Sequence, residues 1–252
     1  MIAQLGMYDL PQMQPANDAF WSAIRAALGE GPVRLDRSQD AWNVWQRSDL
    51  LLAQTCGFPY RARLHGTVQL VGTPDYGVKG CPPGHYHSVL VAQCDEPADL
   101  TAFHGKRFAY NEALSQSGWA APVLHMRQIG ITPAALVETG GHAISARAVA
   151  EHRADFAGVD VLTWALLQEH DPALTDQLQI IDQTEPTPTL PYITAMGRDA
   201  GRIAAAIRTA IETMPKESRD SLHLRALIDI PAESYLAVPT PPPPSELPLS
   251  SA

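Results

Sequence analysis

An uninterrupted apolar run of strand length, Leu50-Leu51-Leu52-Ala53, restricts the fold of this chain more than any other segment. Strands without an alternating polar face are typical of parallel sheets that are covered by helices on both sides. The run ends at Gln54-Thr55-Cys56-Gly57. Ligands of open α/β sheets lie beyond the carboxyl ends of such strands. We therefore expect a helix-covered sheet and a loop containing Thr55 that faces a ligand cleft.

Other strand-length and helix-length segments alternate along the chain. Strands are predicted at residues 2–7, 33–35, 67–71, 86–91, 106–110, 135–138, 154–158 and 178–182. Helices are predicted after Asn17, at 41–47, after Ser115, at 143–151, after Asp160 and at 197–213. Tyr8 lies on the loop that leaves the first strand and is also expected to face the cleft. This alternation predicts an α/β fold with mainly parallel sheets.

The composition shifts near residues 93–98, and prolines interrupt residues 184–191. These breaks predict two lobes joined by two crossings. The first lobe would contain residues 1–93 and 192–238, and the second residues 94–191. Residues 239–252 include four consecutive prolines and are predicted to form a mobile tail outside any core. The cleft between the lobes is the expected ligand site.

Composition and charge exclude several classes of protein. The 252 residues are 45% hydrophobic and carry a net charge of −9 without a basic run, so nucleic acid is not an expected partner. The apolar segments are too short for membrane insertion. Three cysteines without CxxC spacing do not predict a disulfide framework. The sequence begins without the basic and apolar regions of an export signal, which by itself predicts a cytoplasmic protein.

The segment Ser115-Gln116-Ser117-Gly118 has the composition of an anion site. It follows a predicted strand and opens an apolar helix. The first N–H groups of a helix lack partners within the helix, and the helix dipole adds partial positive charge there. Small side chains such as those of Ser and Gly let an oxyanion approach closely. On this segment alone, a simple N-cap role for Ser115 is the plainer interpretation.

Four motifs in order resemble the substrate-binding component of phosphate, phosphite and phosphonate ABC transporters, a type II periplasmic-binding-protein fold. They are Asp49 with its apolar strand and Gly57, Tyr86-His87-Ser88-Val89-Leu90, Ser115-Gln116-Ser117-Gly118, and Gly141-His142 with the later Ala148-Val149-Ala150 and Ala154-Asp155-Phe156-Ala157. The match spans about residues 1–195. The resemblance implies a two-lobed fold with an interlobe cleft, and a periplasmic location.

The resemblance also implies ligand residues. In that family a Ser-rich loop, a strand tyrosine and a histidine hold the phosphonate oxygens, which implies Ser115, Gln116, Ser117, Tyr86 and His142 here. Hydroxyl, phenol and imidazole donors fit this role. Considered without the family, Tyr86 is more simply a packed strand tyrosine, and His142 is more simply a capping or core histidine.

Some positions depart from the family pattern. Members that bind aminoalkyl phosphonates hold the ammonium group with carboxylates, at positions that align roughly with Leu162 and Leu190. An amino-phosphonate ligand is therefore disfavoured. Asp160 either replaces such a carboxylate or caps the helix that carries Trp164. Gln116 replaces a hydroxyl residue, which changes the donor geometry.

Two other arrangements of side chains have weaker signals. His85 and His87 lie on one strand face, but no third metal ligand is evident, so no metal site is predicted. Cys56 with His142 is a candidate nucleophile pair, although a buried structural cysteine is commoner. No phosphate-binding, dinucleotide-binding or hydrolase glycine motif is present. No cofactor is predicted.

The sequence thus favours a solute-binding protein without catalytic activity. It would close its lobes on a small oxyanion resembling phosphonate, phosphate or phosphite, and would deliver the ligand to an ABC-transporter permease. Two alternatives remain. One is a cytosolic enzyme on the same fold that acts on a small phosphorylated or carboxylated metabolite. The other is a ligand-sensing module that uses the proline-rich tail for docking.

Overall fold

The computed structural model describes residues 1–250 and contains two compact units. Unit 1 comprises Met1–His85 and Pro188–Ala237, and unit 2 comprises Tyr86–Thr187 and the segment from Val238 onward. The sequence predicts that the chain passes between lobes near residues 93 and 192. In the structure the unit boundaries lie at 85/86 and 187/188, and the C-terminal segment belongs to unit 2.

The elements are numbered in chain order. The strands are β1 (Ile2–Gln4), β2 (Leu50–Gln54), β3 (Val68–Asp75), β4 (His85–Tyr86), β5 (Ser88–Gln93), β6 (Arg107–Tyr110), β7 (Ala135–Glu138), β8 (Phe156–Asp160), β9 (Leu178–Gln183), β10 (Thr187–Pro188), β11 (Tyr192–Ala195) and β12 (Ala226–Ile228). The α-helices are α1 (Gln14–Leu28), α2 (Ala41–Trp45), α3 (Gly57–Pro59), α4 (Ala121–Gln128), α5 (His142–Ala150), α6 (Val161–His170), α7 (Pro172–Thr175), α8 (Ala200–Thr213), α9 (Lys216–Ser221) and α10 (Ala232–Leu236).

Unit 1 contains a five-stranded sheet in the order β1-β2-β11-β3-β12. The predicted run of leucines is strand β2, whose five residues are all buried. Helix α1 buries Phe20, Trp21, Ile24 and Leu28 on one face, as the spacing predicts, and packs against α8. It ends at Gly29, whose φ of 75° is the left-handed conformation that suits glycine at a helix C-terminus.

Unit 2 contains a second five-stranded sheet, in the order β7-β6-β8-β5-β9. Every residue of β8 is buried, and so are all but the last of β5. The core combines strand residues with one face each of α5 and α6, including Val91, Ala109, Val149, Val159 and Trp164. Because helices cover this sheet, the middle residues of its central strands β5 and β8 are apolar rather than alternating with polar residues.

The α/β class is confirmed, but the prediction of mainly parallel sheets needs correction. Parallel pairs are β1–β2, β6–β7 and β6–β8. Strand β11 is antiparallel to both of its neighbours, β5 is antiparallel to β8 and β9, and β12 is antiparallel to β3. The parallel pairs lie among strands that are connected by helices. The chain passes between the two units at β4 and at β10, and strands β5 and β11 follow soon after these points. No helix precedes them there as the crossover connection that a parallel arrangement requires.

The C-terminal segment also differs from the expectation of a mobile tail. The Trp119 indole N–H donates to the Pro242 carbonyl at 3.2 Å, and the Ser250 N–H donates to the Pro133 carbonyl at 3.0 Å. A short 3-10 helix spans Pro244–Glu246. Prolines hold their φ angles before the segment docks, so ordering it costs less entropy than ordering an average segment.

Within residues 1–250, no helix combines the length and the apolar character that crossing a bilayer requires.

Candidate functional site

Three parallel neighbours bring the predicted anion residues of unit 2 to one edge of its sheet. Strands β7, β6 and β8 run in the same direction, with Tyr110 paired to Glu138 and Ala109 to Ala157. The carboxyl end of β6 leads into the Ser115 segment, that of β7 leads into His142, and β8 ends at Asp160. Such an edge is where α/β sheets bind ligands. Residues far apart in sequence therefore meet because of strand direction.

Ser115 caps the helical segment that follows β6. Its Oγ accepts the Gly118 N–H at 2.9 Å, and its carbonyl accepts the Ala120 N–H at 2.9 Å. Residues Gln116–Ala120 form a π-helical turn that continues directly into α4. The N-cap interpretation is therefore correct. It leaves the anion interpretation open, because the same turn still presents the partial positive charge of a helix N-terminus.

His142 is the first residue of α5 and contacts the Ser115 segment. Its Nε2 lies 3.0 Å from Ser117 Oγ, and its Nδ1 lies 3.4 Å from the Gly158 carbonyl oxygen. A carbonyl oxygen only accepts, so Nδ1 carries the proton. In the neutral ring Nε2 is then an acceptor, and the Ser117 hydroxyl donates to it. These contacts link β6, β8 and α5 at the sheet edge.

Burial lowers the pKa of His142 below its ordinary value of 6.5. The charge of Asp160 and the hydrogen bond to the Gly158 carbonyl oppose this shift without overcoming it. The ring is therefore neutral at pH 7 in the free protein. It can take up a proton if a negative charge arrives beside it.

Asp160 caps α6. Its Oδ1 accepts the N–H groups of Leu162 at 2.8 Å and Thr163 at 2.9 Å, and the residue is 1% exposed. Of the two roles expected for Asp160, the structure shows the helix cap. The acid also supplies a buried negative charge near His142 and His87, where it opposes the lowering of both pKa values by burial.

Tyr86 and Gln116 are also at this edge. Strand β5 runs antiparallel to β8 and pairs Ser88 with Asp160, so Tyr86 precedes β5 at the end where β8 stops. Tyr86 is 1% exposed and Gln116 is 2% exposed. Their side chains are buried rather than projecting into solvent.

Asn111 was missed by the sequence reasoning. It directly follows β6 and is 9% exposed, and its Oδ1 has no hydrogen-bond partner within residues 1–250. A Cβ added at Gly118 would lie 1.8 Å from that oxygen, which explains why residue 118 lacks a side chain. The place of Asn111 at the carboxyl end of a predicted strand was a signal that could have identified it.

Tyr8 and Thr55 belong to unit 1. They follow β1 and β2, which are parallel neighbours, so both lie at the carboxyl edge of that sheet. Thr55 is fully buried, and the Tyr8 ring packs edge-on against Tyr76 with centroids 5.4 Å apart. Gln54 also lies at this edge and donates to the Tyr76 hydroxyl at 2.9 Å. The sequence reasoning did not single out Gln54 or Tyr76, since tyrosine and glutamine alone carry no motif.

The described part of the chain contains no group of three His, Cys, Asp or Glu side chains that could hold a metal ion. The His85 Nδ1 instead contacts the Pro83 carbonyl at 3.1 Å. None of Cys56, Cys81 and Cys94 forms a disulfide.

A family model for the periplasmic substrate-binding protein of phosphonate ABC transporters matches residues 46–233, about three quarters of the chain. The match defines a solute-binding protein of the ABC-transporter class rather than an enzyme. The chain belongs to this phosphonate-binding family, as the order of motifs indicated. No curated protein sequence matches it significantly.

Solved structures show the same fold. PhnD1 from Prochlorococcus marinus, in complex with methylphosphonate, has a TM-score of 0.73 and 15% identity, over 93% of this chain and 94% of that one. A binding component of a phosphonate ABC transporter from Pseudomonas aeruginosa has a TM-score of 0.68 and 15% identity, over 90% and 80%. XAC2383 from Xanthomonas citri, bound to chloride, has a TM-score of 0.67 and 15% identity, over 92% of each chain.

Proposed function

We propose that this protein binds a small phosphorus oxyanion, such as a phosphonate, phosphate or phosphite, and delivers it to an ABC-transporter permease. The observation that carries the proposal is the hydrogen bond between Ser117 and His142 at the start of a helix that Ser115 caps. Hydroxyl, imidazole and helix N-terminal groups together are suited to an oxyanion with several acceptor oxygens. Membership of a phosphonate-binding family supports the same ligand class.

In this proposal the residues of unit 2 supply the main oxyanion donors. Ser115 and the close approach allowed by Gly118 shape the turn, while Ser117, Gln116, Tyr86 and His142 donate to the ligand oxygens. His142 does so after taking up a proton, which turns its Nε2 from an acceptor into a donor. Tyr8 and Thr55 of unit 1 are proposed as additional ligand contacts, as the sequence analysis expected.

The proposed ligand carries no ammonium group. The position aligned with one carboxylate is Leu162, which is 5% exposed, and the other is Leu190, also 5% exposed. Burying an ammonium group beside such side chains without a partner is unfavourable. Asp160 is the remaining candidate partner, but its Oδ1 is engaged by two backbone N–H groups. We therefore expect methylphosphonate to bind at least as tightly as aminoethylphosphonate.

Isothermal titration of the full, extensively dialysed chain tests the proposal. The ligands are methylphosphonate, aminoethylphosphonate, phosphate, phosphite and sulfate. Loss of one charge-assisted hydrogen bond costs about 1.5–3 kcal/mol, so Ser117→Ala and His142→Ala should each raise Kd by roughly tenfold to a hundredfold.

Two control variants match these substitutions away from the loop. His125 is also partly buried in unit 2, but it bonds to Asp182 at 2.8 Å, and Ser48 is exposed in unit 1. His125→Ala and Ser48→Ala should keep the wild-type Kd. Wild-type affinity in both site variants would reject these site residues, and absence of binding to every phosphorus oxyanion would reject the ligand class.

A further inference from the structure

The proline-rich C-terminal segment contacts Trp119, which directly follows Ser115-Gln116-Ser117-Gly118. Trp119 comes next after Gly118, and its indole N–H donates to the Pro242 carbonyl at 3.2 Å. Its ring is fully buried and lies 4.8 Å from the Tyr110 ring, measured between centroids. Its backbone N–H donates to the Ser115 carbonyl at 3.3 Å. The tryptophan therefore connects the loop, β6 and the C-terminal segment.

The indole N–H needs this partner. The ring is inaccessible to solvent, and a buried donor without an acceptor is costly. Pro242 lies in a run of four prolines, and the next residue, Pro243, adopts φ −64° and ψ 161°, which is polyproline II geometry. A segment of this kind presents its carbonyls outward, because none is used in internal hydrogen bonds. The Pro242 carbonyl is thus available to Trp119.

We propose that residues 238–250 act as a strap that holds the anion loop, residues 115–120, in its binding geometry, and that Trp119 is the positioning residue through which the strap acts. The inference rests on the proposed function, because it assigns the loop to ligand binding. The strap has a second attachment at Ser250, whose N–H donates to the Pro133 carbonyl at 3.0 Å.

Hydrogen bonds attach the strap to the rest of unit 2 at Pro242 and at Ser250. Between Pro242 and Pro133 a cleft of about 380 Å³ remains, lined on one side by α4 and the loop after it. Its walls include Val123, Met126, Ile131 and Leu247. A segment that leaves such a cleft contributes less to the core than a fully packed element does. Removing it should therefore loosen the loop without unfolding unit 2.

Three variants of the full protein test the strap. One ends after Val238. The second, Trp119→Phe, keeps an aromatic ring in the core but removes the N–H donor. The third, Trp164→Phe, is the matched control, because Trp164 is also buried in unit 2, at 4% exposed, and its indole N–H has no hydrogen-bond partner in the described chain.

The readouts are the Kd for methylphosphonate and phosphate, and amide hydrogen exchange of residues 116–121. Truncation and Trp119→Phe should raise Kd about tenfold and speed exchange of these amides, while exchange in β8 and α5 stays unchanged. Trp164→Phe should match wild type in both. Wild-type Kd and exchange after truncation would overturn the strap, as would equal effects of Trp119→Phe and Trp164→Phe.

The two proposals can fail separately. If wild-type protein binds no phosphorus oxyanion, phosphite included, the proposed function fails, and a role for the strap in binding fails with it. If wild type binds and the truncated chain binds equally well, only the strap is rejected. If exchange of residues 116–121 quickens while Kd stays at the wild-type value, the strap holds the loop without serving binding, and the inference is likewise overturned.

Discussion

At the scale of single residues, the proposed site would couple anion binding to a proton through the hydrogen bond between Ser117 and His142. In the free protein His142 is neutral and the Ser117 hydroxyl donates its proton in a hydrogen bond to the ring, so this proton is not available to a ligand. When His142 is protonated, Nε2 becomes the donor, and the hydroxyl proton is released for the ligand. A bound anion in turn raises the pKa of His142.

We therefore expect anion affinity to fall as pH rises from a point below 6.5, by at most about tenfold per pH unit. Titration in buffers of different ionisation enthalpy measures the proton uptake. Phosphorus oxyanions themselves titrate near neutrality, so His142→Asn isolates the contribution of the ring. Equal proton uptake by wild type and His142→Asn would show that His142 does not bind the proton.

The lowered pKa of His142 gives the stability of the free protein the opposite pH dependence: anion affinity should fall as pH rises, whereas the contribution of His142 to the unfolding free energy falls as pH decreases. Folding lowers the pKa of His142, so the unfolded chain binds this proton more readily. The contribution of His142 is present above its unfolded pKa and is lost as pH falls through 6.5 toward the folded value.

Gly118 supports a second prediction. A Cβ at this position would lie 1.8 Å from Asn111 Oδ1 and 3.2 Å from His142 Cε1, so Gly118→Ala forces the loop apart. We expect a loss of about 2 kcal/mol or more in unfolding free energy, and loss of anion binding. Gly201→Ala in α8 is the control, because its Cβ would meet ordinary contacts and a helical alanine gains up to about 1 kcal/mol. Asn111→Ala should partly rescue Gly118→Ala, and failure to do so would exclude the steric cause.

At the scale of elements, Asp160 determines how α6 begins. It accepts two backbone N–H groups that have no other partner within the helix. Asp160→Ala should lower the unfolding free energy by about 1–2 kcal/mol, whereas Asp160→Asn keeps an acceptor and should lose less. Urea unfolding at pH 7 measures both. Equal losses would mean that the charge, rather than the cap, stabilises the helix.

These elements also show how far sequence reasoning reaches. The caps at Ser115 and Asp160 could be predicted, because a cap depends on residues within three positions. The predicted strand at residues 33–35 does not form, and Val33 is 75% exposed. A short apolar run forms a strand only where an adjacent strand can pair with it.

Contacts between residues that are far apart in the sequence were harder to predict. The family motifs suggested that Ser117 and His142 share a site, although they are 25 positions apart. Nothing in the sequence indicated that Pro242 accepts from Trp119, which is 123 positions away. Such a contact depends on packing and leaves no periodic pattern.

At the scale of the whole molecule, net charge affects how quickly an anion arrives. The chain carries −9 at pH 7, so its long-range field repels an oxyanion, while the proposed donors act only at close range. Screening that repulsion should raise the association rate severalfold between about 10 and 150 mM salt. Stopped-flow measurement of methylphosphonate binding checks this. A rate that falls with salt would show that local positive potential dominates the approach.

The return of the chain to unit 2 at Val238 has a consequence for synthesis. The sheet of unit 2 is complete once Gln183 has been made, but the strap follows only after residues 188–237. At about 5–20 residues per second, the ribosome needs roughly 3–10 s to cover that distance. The anion loop of a nascent chain is therefore made long before the strap, and the strap can support it only after residues 238–250 have been made. A rearranged gene that joins Thr187 to Val238 would remove this delay and let unit 2 be made as one uninterrupted segment.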